Sequence, residues 1–129
     1  MRFDKLTIKS QEALSEAQSL ATARGHSQIT PAHLLRALVA QPEGSTVPIL
    51  QKIGAGLERV QSEAEKKLAA LPKVTGGAQP AISPALQRAL ETAEREAAAR
   101  KDEYVSTEHL LLALADDAKD ETARLLRDA

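Results

Sequence analysis

The 129-residue chain has no cysteine and no tryptophan, and only one phenylalanine (Phe3) and one tyrosine (Tyr104). Without cysteine there are no disulfides and no thiolate chemistry, which fits a reducing compartment. Seventeen basic residues against eighteen acidic leave a formal charge of −1, with no run of one sign. Duplex nucleic-acid binders carry a basic stripe, and single-strand binders add aromatic stacking platforms. This chain offers neither. No apolar stretch approaches the ~20 residues that cross a bilayer, and Met1-Arg2-Phe3-Asp4-Lys5 lacks the apolar region of a signal peptide. The composition points to a single soluble, cytoplasmic, alanine-rich helical domain, residues 1–129, that binds neither nucleic acid nor membrane.

Signatures of chemistry are missing too. There is no Gly-x-x-x-x-Gly-Lys-Ser/Thr loop; Gly54-Ala55-Gly56 and Gly76-Gly77 lack the lysine and the helix start of a phosphate cradle. No serine sits in a Gly-x-Ser-x-Gly elbow. No enzyme activity and no cofactor is expected within these residues. ATP and magnesium would belong to segments downstream.

What the chain does have is an internal repeat. Ile29-Thr30-Pro31-Ala32-His33-Leu34-Leu35-Arg36-Ala37-Leu38 returns as Val105-Ser106-Thr107-Glu108-His109-Leu110-Leu111-Leu112-Ala113-Leu114, 76 positions later. The offset holds without a gap from Leu6/Ile82 to Ile53/Ala129, and 14 of the 48 pairs are identical. Self-similarity at a fixed offset means one supersecondary unit built twice. Repeat one covers about 1–71, a turn-rich linker about 72–82, and repeat two about 83–129.

Within repeat one, Thr7 caps a helix over 8–24 with Gly25 as its stop. Thr30-Pro31 opens a second helix, a third runs near 46–53, and a fourth over 57–71 carries the stripe Leu57, Val60, Ala64, Leu68 and Leu71. Repeat two restarts at Ser83-Pro84, runs to about Arg100, continues behind Ser106, and closes with a helix over 120–128 that turns Leu125 and Leu126 inward. No residues remain for a fourth helix, which reads as a unit cut short.

His33 and His109 each stand three residues after a cap, Thr30 and Ser106, where a side chain reaches back to the cap's backbone. Equal placement in both copies favours a structural role over catalysis, and neither copy supplies the further ligands of a metal site. Two such units packed together leave a groove where their first helices meet.

The opening Met1-Arg2-Phe3-Asp4-Lys5-Leu6-Thr7, the paired His-Leu-Leu helices and the Leu71-Pro72-Lys73-Val74 linker resemble the N-terminal domains of ClpB-type AAA+ disaggregases. The doubled His-Leu-Leu segment is shared by the wider Clp family, including ClpA and ClpC. The resemblance implies an all-α, pseudo-twofold tandem repeat of four-helix units, the second lacking its last helix here. It implies a monomeric module on a hexameric ATPase that works with the DnaK system and captures unfolded or aggregated protein. Positions matching the family's substrate groove are Leu14, Ala17, Leu90, Ala93 and the neighbourhood of His109, the two alanines being small enough to leave a channel. Thr7, Asp102 and Glu108 match positions that influence substrate handling. The alternative is a ClpA- or ClpC-type domain that docks adaptors or phosphoarginine. Only Ser83 with Glu108 pairs a hydroxyl and an acid here, since Ala32 stands at the matching place in repeat one.

Overall fold

The computed structural model describes residues 3–41, 44–54, 56–74 and 79–116. The predicted helix over 120–128, with Leu125 and Leu126, lies outside the described residues.

Six α-helices form the fold among these residues: α1 (Ile8–Ala23), α2 (Pro31–Ala40), α3 (Thr46–Lys52), α4 (Leu57–Ala69), α5 (Pro84–Ala99) and α6 (Thr107–Asp116). Local chemistry sets their ends. Thr7 Oγ1 accepts the Ser10 amide at 3.2 Å and Ser83 Oγ accepts the Leu86 amide at 3.1 Å, so each repeat's first helix starts on a hydroxyl cap. Both then stop on a left-handed residue, Gly25 at φ 70° and Lys101 at φ 60°. Glycine takes that conformation freely, whereas lysine pays a steric cost for it.

The faces these helices bury are alanine stripes. Ala13, Ala17 and Ala21 on α1 recur as Ala89, Ala93 and Ala97 on α5, and all six are buried. With only a methyl group to accommodate, α1 packs close along α2 and α5 close along α6. The second helices supply the bulk of the core through Leu34, Leu35, Leu38, Leu110 and Leu114. α1 also touches α6, α5 touches α2, and α2 faces α6 at the centre. Exchanging α1 with α5 and α2 with α6 returns the same set of contacts, which is the pseudo-twofold. α4 lays Val60, Ala64 and Leu68 onto α2.

The chain also makes short extended pairings that helical periodicity does not announce. β1 (Gln28–Ile29) pairs in parallel with β2 (Ala81–Ile82), Ile29 opposite Ile82. A lone parallel bridge joins Leu6 to Val105. The 76-residue shift takes Leu6 to Ile82 and Val105 to Ile29, so each pairing is the symmetry mate of the other. The Thr7 amide donates to the Val105 carbonyl and the Ser83 amide to the Ile29 carbonyl, both at 3.0 Å. Each repeat thus enters its first helix hydrogen-bonded to the segment before the other repeat's second helix. Ala81 and Ile82, at the end of the predicted linker, are built into that arrangement.

Candidate functional site

The first helices, α1 and α5, are held apart by the central pair, and a cavity of about 90 Å³ lies between them. Leu14 and Leu90 face it from the two helices, at positions related by the repeat. Leu6, Ile29, Ile82 and Leu86 complete an aliphatic lining, and Gln18 and Gln87 supply the polar groups. No charged side chain lines it. Leu90 is only 3 % exposed, while Ile82 is 45 % exposed, so the lining runs from the core to the surface. For scale, an apolar cavity of about 150 Å³ holds a benzene ring. This one has room for a single aliphatic side chain.

The residues singled out from the sequence divide into three groups. Leu14 and Leu90 line the cavity. Ala17 and Ala93 do not: both are 0 % exposed and pack in the core, so they set helix separation instead of forming a channel wall. Their size suited either role, and the tight helix–helix contacts claimed them. Thr7, Asp102, Glu108 and His109 also lie off the cavity lining. Thr7 is occupied as the α1 cap, with its amide on Val105. Glu108 is an exposed acid in the first turn of α6, where it suits the helix dipole.

His109 and Asp102 belong to a polar cluster of their own. The Ser106 amide donates to His109 Nδ1 at 2.9 Å, and His109 Nε2 lies 3.0 Å from Asp102 Oδ2. Because Nδ1 accepts an amide proton, the hydrogen-bond network assigns the ring proton to Nε2, which donates to the carboxylate. Repeat one builds the same device. The Thr30 amide donates to His33 Nδ1 at 2.8 Å, and His33 Nε2 lies 2.8 Å from His26 Nδ1. His26 and Asp102 are themselves 76 residues apart. Ser106, His109 and Asp102 are the residue types of a hydrolytic triad, but the geometry is that of a cap. The His109 nitrogen beside the Ser106 hydroxyl already accepts an amide proton, so it has no lone pair to take one from serine.

Sequence reasoning missed Leu6, Ile29, Ile82 and Leu86 as lining residues. The repeat carried a usable signal: Leu6/Ile82 and Ile29/Val105 are apolar residues immediately before helix caps, in both copies. His26 was missed because nothing in its loop marks it as a partner for His33.

Two comparisons settle the family. Residues 5–129 match the family model described as the Clp repeat (R) N-terminal domain. The chain belongs to the Clp repeat N-terminal domain family. Among relatives of this Clp domain, the chaperone protein ClpB of Rhodopirellula baltica is 45 % identical over 114 residues, covering 88 % of this chain and 13 % of that protein. ClpB of Bacteroides thetaiotaomicron is 40 % identical over 129 residues, covering 100 % of this chain and 15 % of that protein. The chain therefore spans about a seventh of the length of these relatives. A solved complex of the ClpV N-domain with a VipB peptide shares the fold, with a TM-score of 0.81 at 22 % identity, over 98 % of this chain and 79 % of that one. The chain is thus a ClpB-type Clp domain, an all-α fold of a chaperone family. Among the described residues no helix is long and apolar enough to cross a membrane.

Proposed function

We propose that this Clp domain captures unfolded or aggregated polypeptide in the groove between its repeats and hands it to an attached ATP-driven disaggregase. The observation that carries the reading is the uncharged aliphatic cavity placed between α1 and α5, with Leu14 and Leu90 on opposite walls. Unfolded chains differ from folded ones chiefly in exposing aliphatic side chains, and a pocket of this lining gains affinity by burying them. Burying one such side chain gives about 1.5–3 kcal/mol, most of which ordering the guest offsets. Single-site capture is therefore weak and tolerant of sequence. A hexameric parent would raise it by presenting several domains to one chain. In this reading ATP and magnesium act in downstream modules, the parent works in the cytoplasm with the DnaK system, and the isolated domain is a monomer.

Leu14→Glu, on the half-buried wall, and Leu90→Ala, at the buried wall, test the groove. Fluorescence anisotropy with a reduced, carboxymethylated protein as guest should show affinity reduced by about tenfold for each, with helicity by circular dichroism retained. Unchanged affinity in two folded variants would rule the groove out.

A further inference from the structure

Three other pieces of the chain are fastened to the turn between α1 and β1. Arg24 holds Glu65 of α4. The Gly25 carbonyl accepts the Val74 amide at 2.7 Å, and the Ser27 carbonyl accepts the Ala81 amide at 3.1 Å. Val74 and Ala81 stand towards the two ends of the inter-repeat linker, so both ends close on three consecutive residues. The middle one is His26, which is only 4 % exposed and turns its ring inward onto His33.

The pair has a fixed proton order. His33 Nδ1 accepts the Thr30 amide at 2.8 Å, so its ring proton is on Nε2 and donates to His26 Nδ1, 2.8 Å away. The His26 proton is therefore on its own Nε2. A further proton must enter at a nitrogen that already accepts. At His26 Nδ1 it meets the His33 N–H head on. At His33 Nδ1 it displaces the Thr30 amide, even where Thr30 Oγ1, also 2.8 Å away, takes up the new N–H. Either event leaves a buried donor unpaired, which is costly in the interior. The surrounding charges do not offset that cost. Arg24 at the end of α1 and Lys73 in the linker repel a cation on His26. Glu65, the acid on α4, is engaged by Arg24 and faces Arg36 of α2 as well. Burial, reinforced by His26 and Arg24, holds His33 at about 4, against about 6.5 in an opened turn.

We propose that the His26–His33 pair is an acid-released latch on the linker. Protonation drives the two rings apart, which unseats residues 25–27 and frees Val74, Ala81 and the β1–β2 pairing, while α1, α2, α5 and α6 stay packed. The device belongs to one half only. Repeat two has Asp102 in the place of His26, and its tie, Leu6 with Val105, carries no imidazole pair. Acid thus loosens one of the two ties between the repeats and spares the other. The sign follows from linkage: the closed turn refuses a proton that the open turn binds, so opening grows as pH falls below about 6.5. For His33 alone the gain is about thirtyfold at pH 5 over pH 7.5.

Native-state hydrogen exchange of the labelled 129-residue chain, read at pH 7.5 and pH 5 and in dilute urea, tests the latch. With intrinsic rates divided out, the opening constants of the Val74 and Ala81 amides should rise about thirtyfold in acid. Urea should leave those constants unchanged, since a local opening exposes little surface. His26→Asp, which sets an acceptor opposite the His33 N–H, should cut the rise to about fivefold or less. Imidazole nitrogen shifts at pH 7.5 give a check that needs no variant: both rings should carry their proton on Nε2. No rise at pH 5, or a rise with the urea dependence of the Leu34 and Leu35 core amides, would overturn the latch. So would an equal rise in folded His26→Asp, or an Nδ1 proton on either ring.

Discussion

Nε2 of His33 lies 2.8 Å from Nδ1 of His26, with both rings in the interior. At the matching place in repeat two, a carboxylate faces the histidine instead, Asp102 to His109 at 3.0 Å. One fold thus holds a proton-poor histidine pair in one half and a histidine–carboxylate pair in the other.

Burial holds His33 down at about 4, with His26 and Arg24 adding repulsion. Burial lowers His26 too, with Arg24 and Lys73 reinforcing it. An unfolded histidine titrates near 6.5, so between these values the unfolded chain binds a proton that the folded chain refuses. Stability is complete above about pH 6.5 and falls as pH drops towards 4, by about 3 kcal/mol for His33 alone. Urea denaturation at pH 7 and pH 4.5 checks this. His26→Asp, which places a carboxylate opposite His33 as in repeat two, should remove at least half of the loss. An equal loss in both proteins would mean that acid sensitivity comes from elsewhere.

Lys101 holds φ 60° where its repeat mate Gly25 holds φ 70°. Lys101→Gly should therefore stabilise the domain by about 1 kcal/mol, raising the thermal midpoint by a few degrees. Gly25→Ala should do the reverse and more. Its new methyl would meet the Val74 carbonyl oxygen at 3.2 Å in addition to the unfavourable φ. Differential scanning calorimetry of the two variants reads both signs.

Ser10 Oγ donates to the Val105 carbonyl at 2.9 Å in a buried position, tying α1 to the segment before α6. Ser10→Ala leaves that carbonyl with only the Thr7 amide and should cost about 1 kcal/mol. The matching residue is Leu86, which reaches into the cavity instead. Denaturation by urea should show a lower midpoint with an unchanged slope.

Arg24 clasps Glu65 through its two terminal guanidinium nitrogens, joining the end of α1 to α4. The pairing raises the arginine and lowers the carboxyl from their ordinary ranges. Both side chains remain partly exposed, at 31 % and 42 %, which limits their worth through solvent screening. Glu65→Gln should cost no more than about 1 kcal/mol at low salt, and less in 0.5 M salt. A larger cost, insensitive to salt, would mark the pair as structurally decisive.

Much of the fold was legible because its signals are local. Thr7, Thr30, Ser83 and Ser106 stand where helices begin, and the 76-residue offset pairs α1 with α5 and α2 with α6. The pairings of Leu6 with Val105 and Ile29 with Ile82 were not legible, since two residues are too few to show an alternating pattern. Those pairings place much of the cavity lining, so helical periodicity points only to Leu14 and Leu90. Ala17 and Ala93 suit a channel wall and a close helix contact equally well by size, and the helix contact claims both. Asp102, read as a position influencing substrate, sits half-exposed and holds His109 in orientation.

The most direct measurement of the central claim is methyl chemical-shift mapping of the chain with an unfolded protein as guest. The groove account predicts shifts at Leu14, Leu86 and Leu90, with the exposed Ile53 and Leu112 on other surfaces unmoved. Shifts at Ile53 or Leu112, with Leu14 and Leu90 silent, would contradict it.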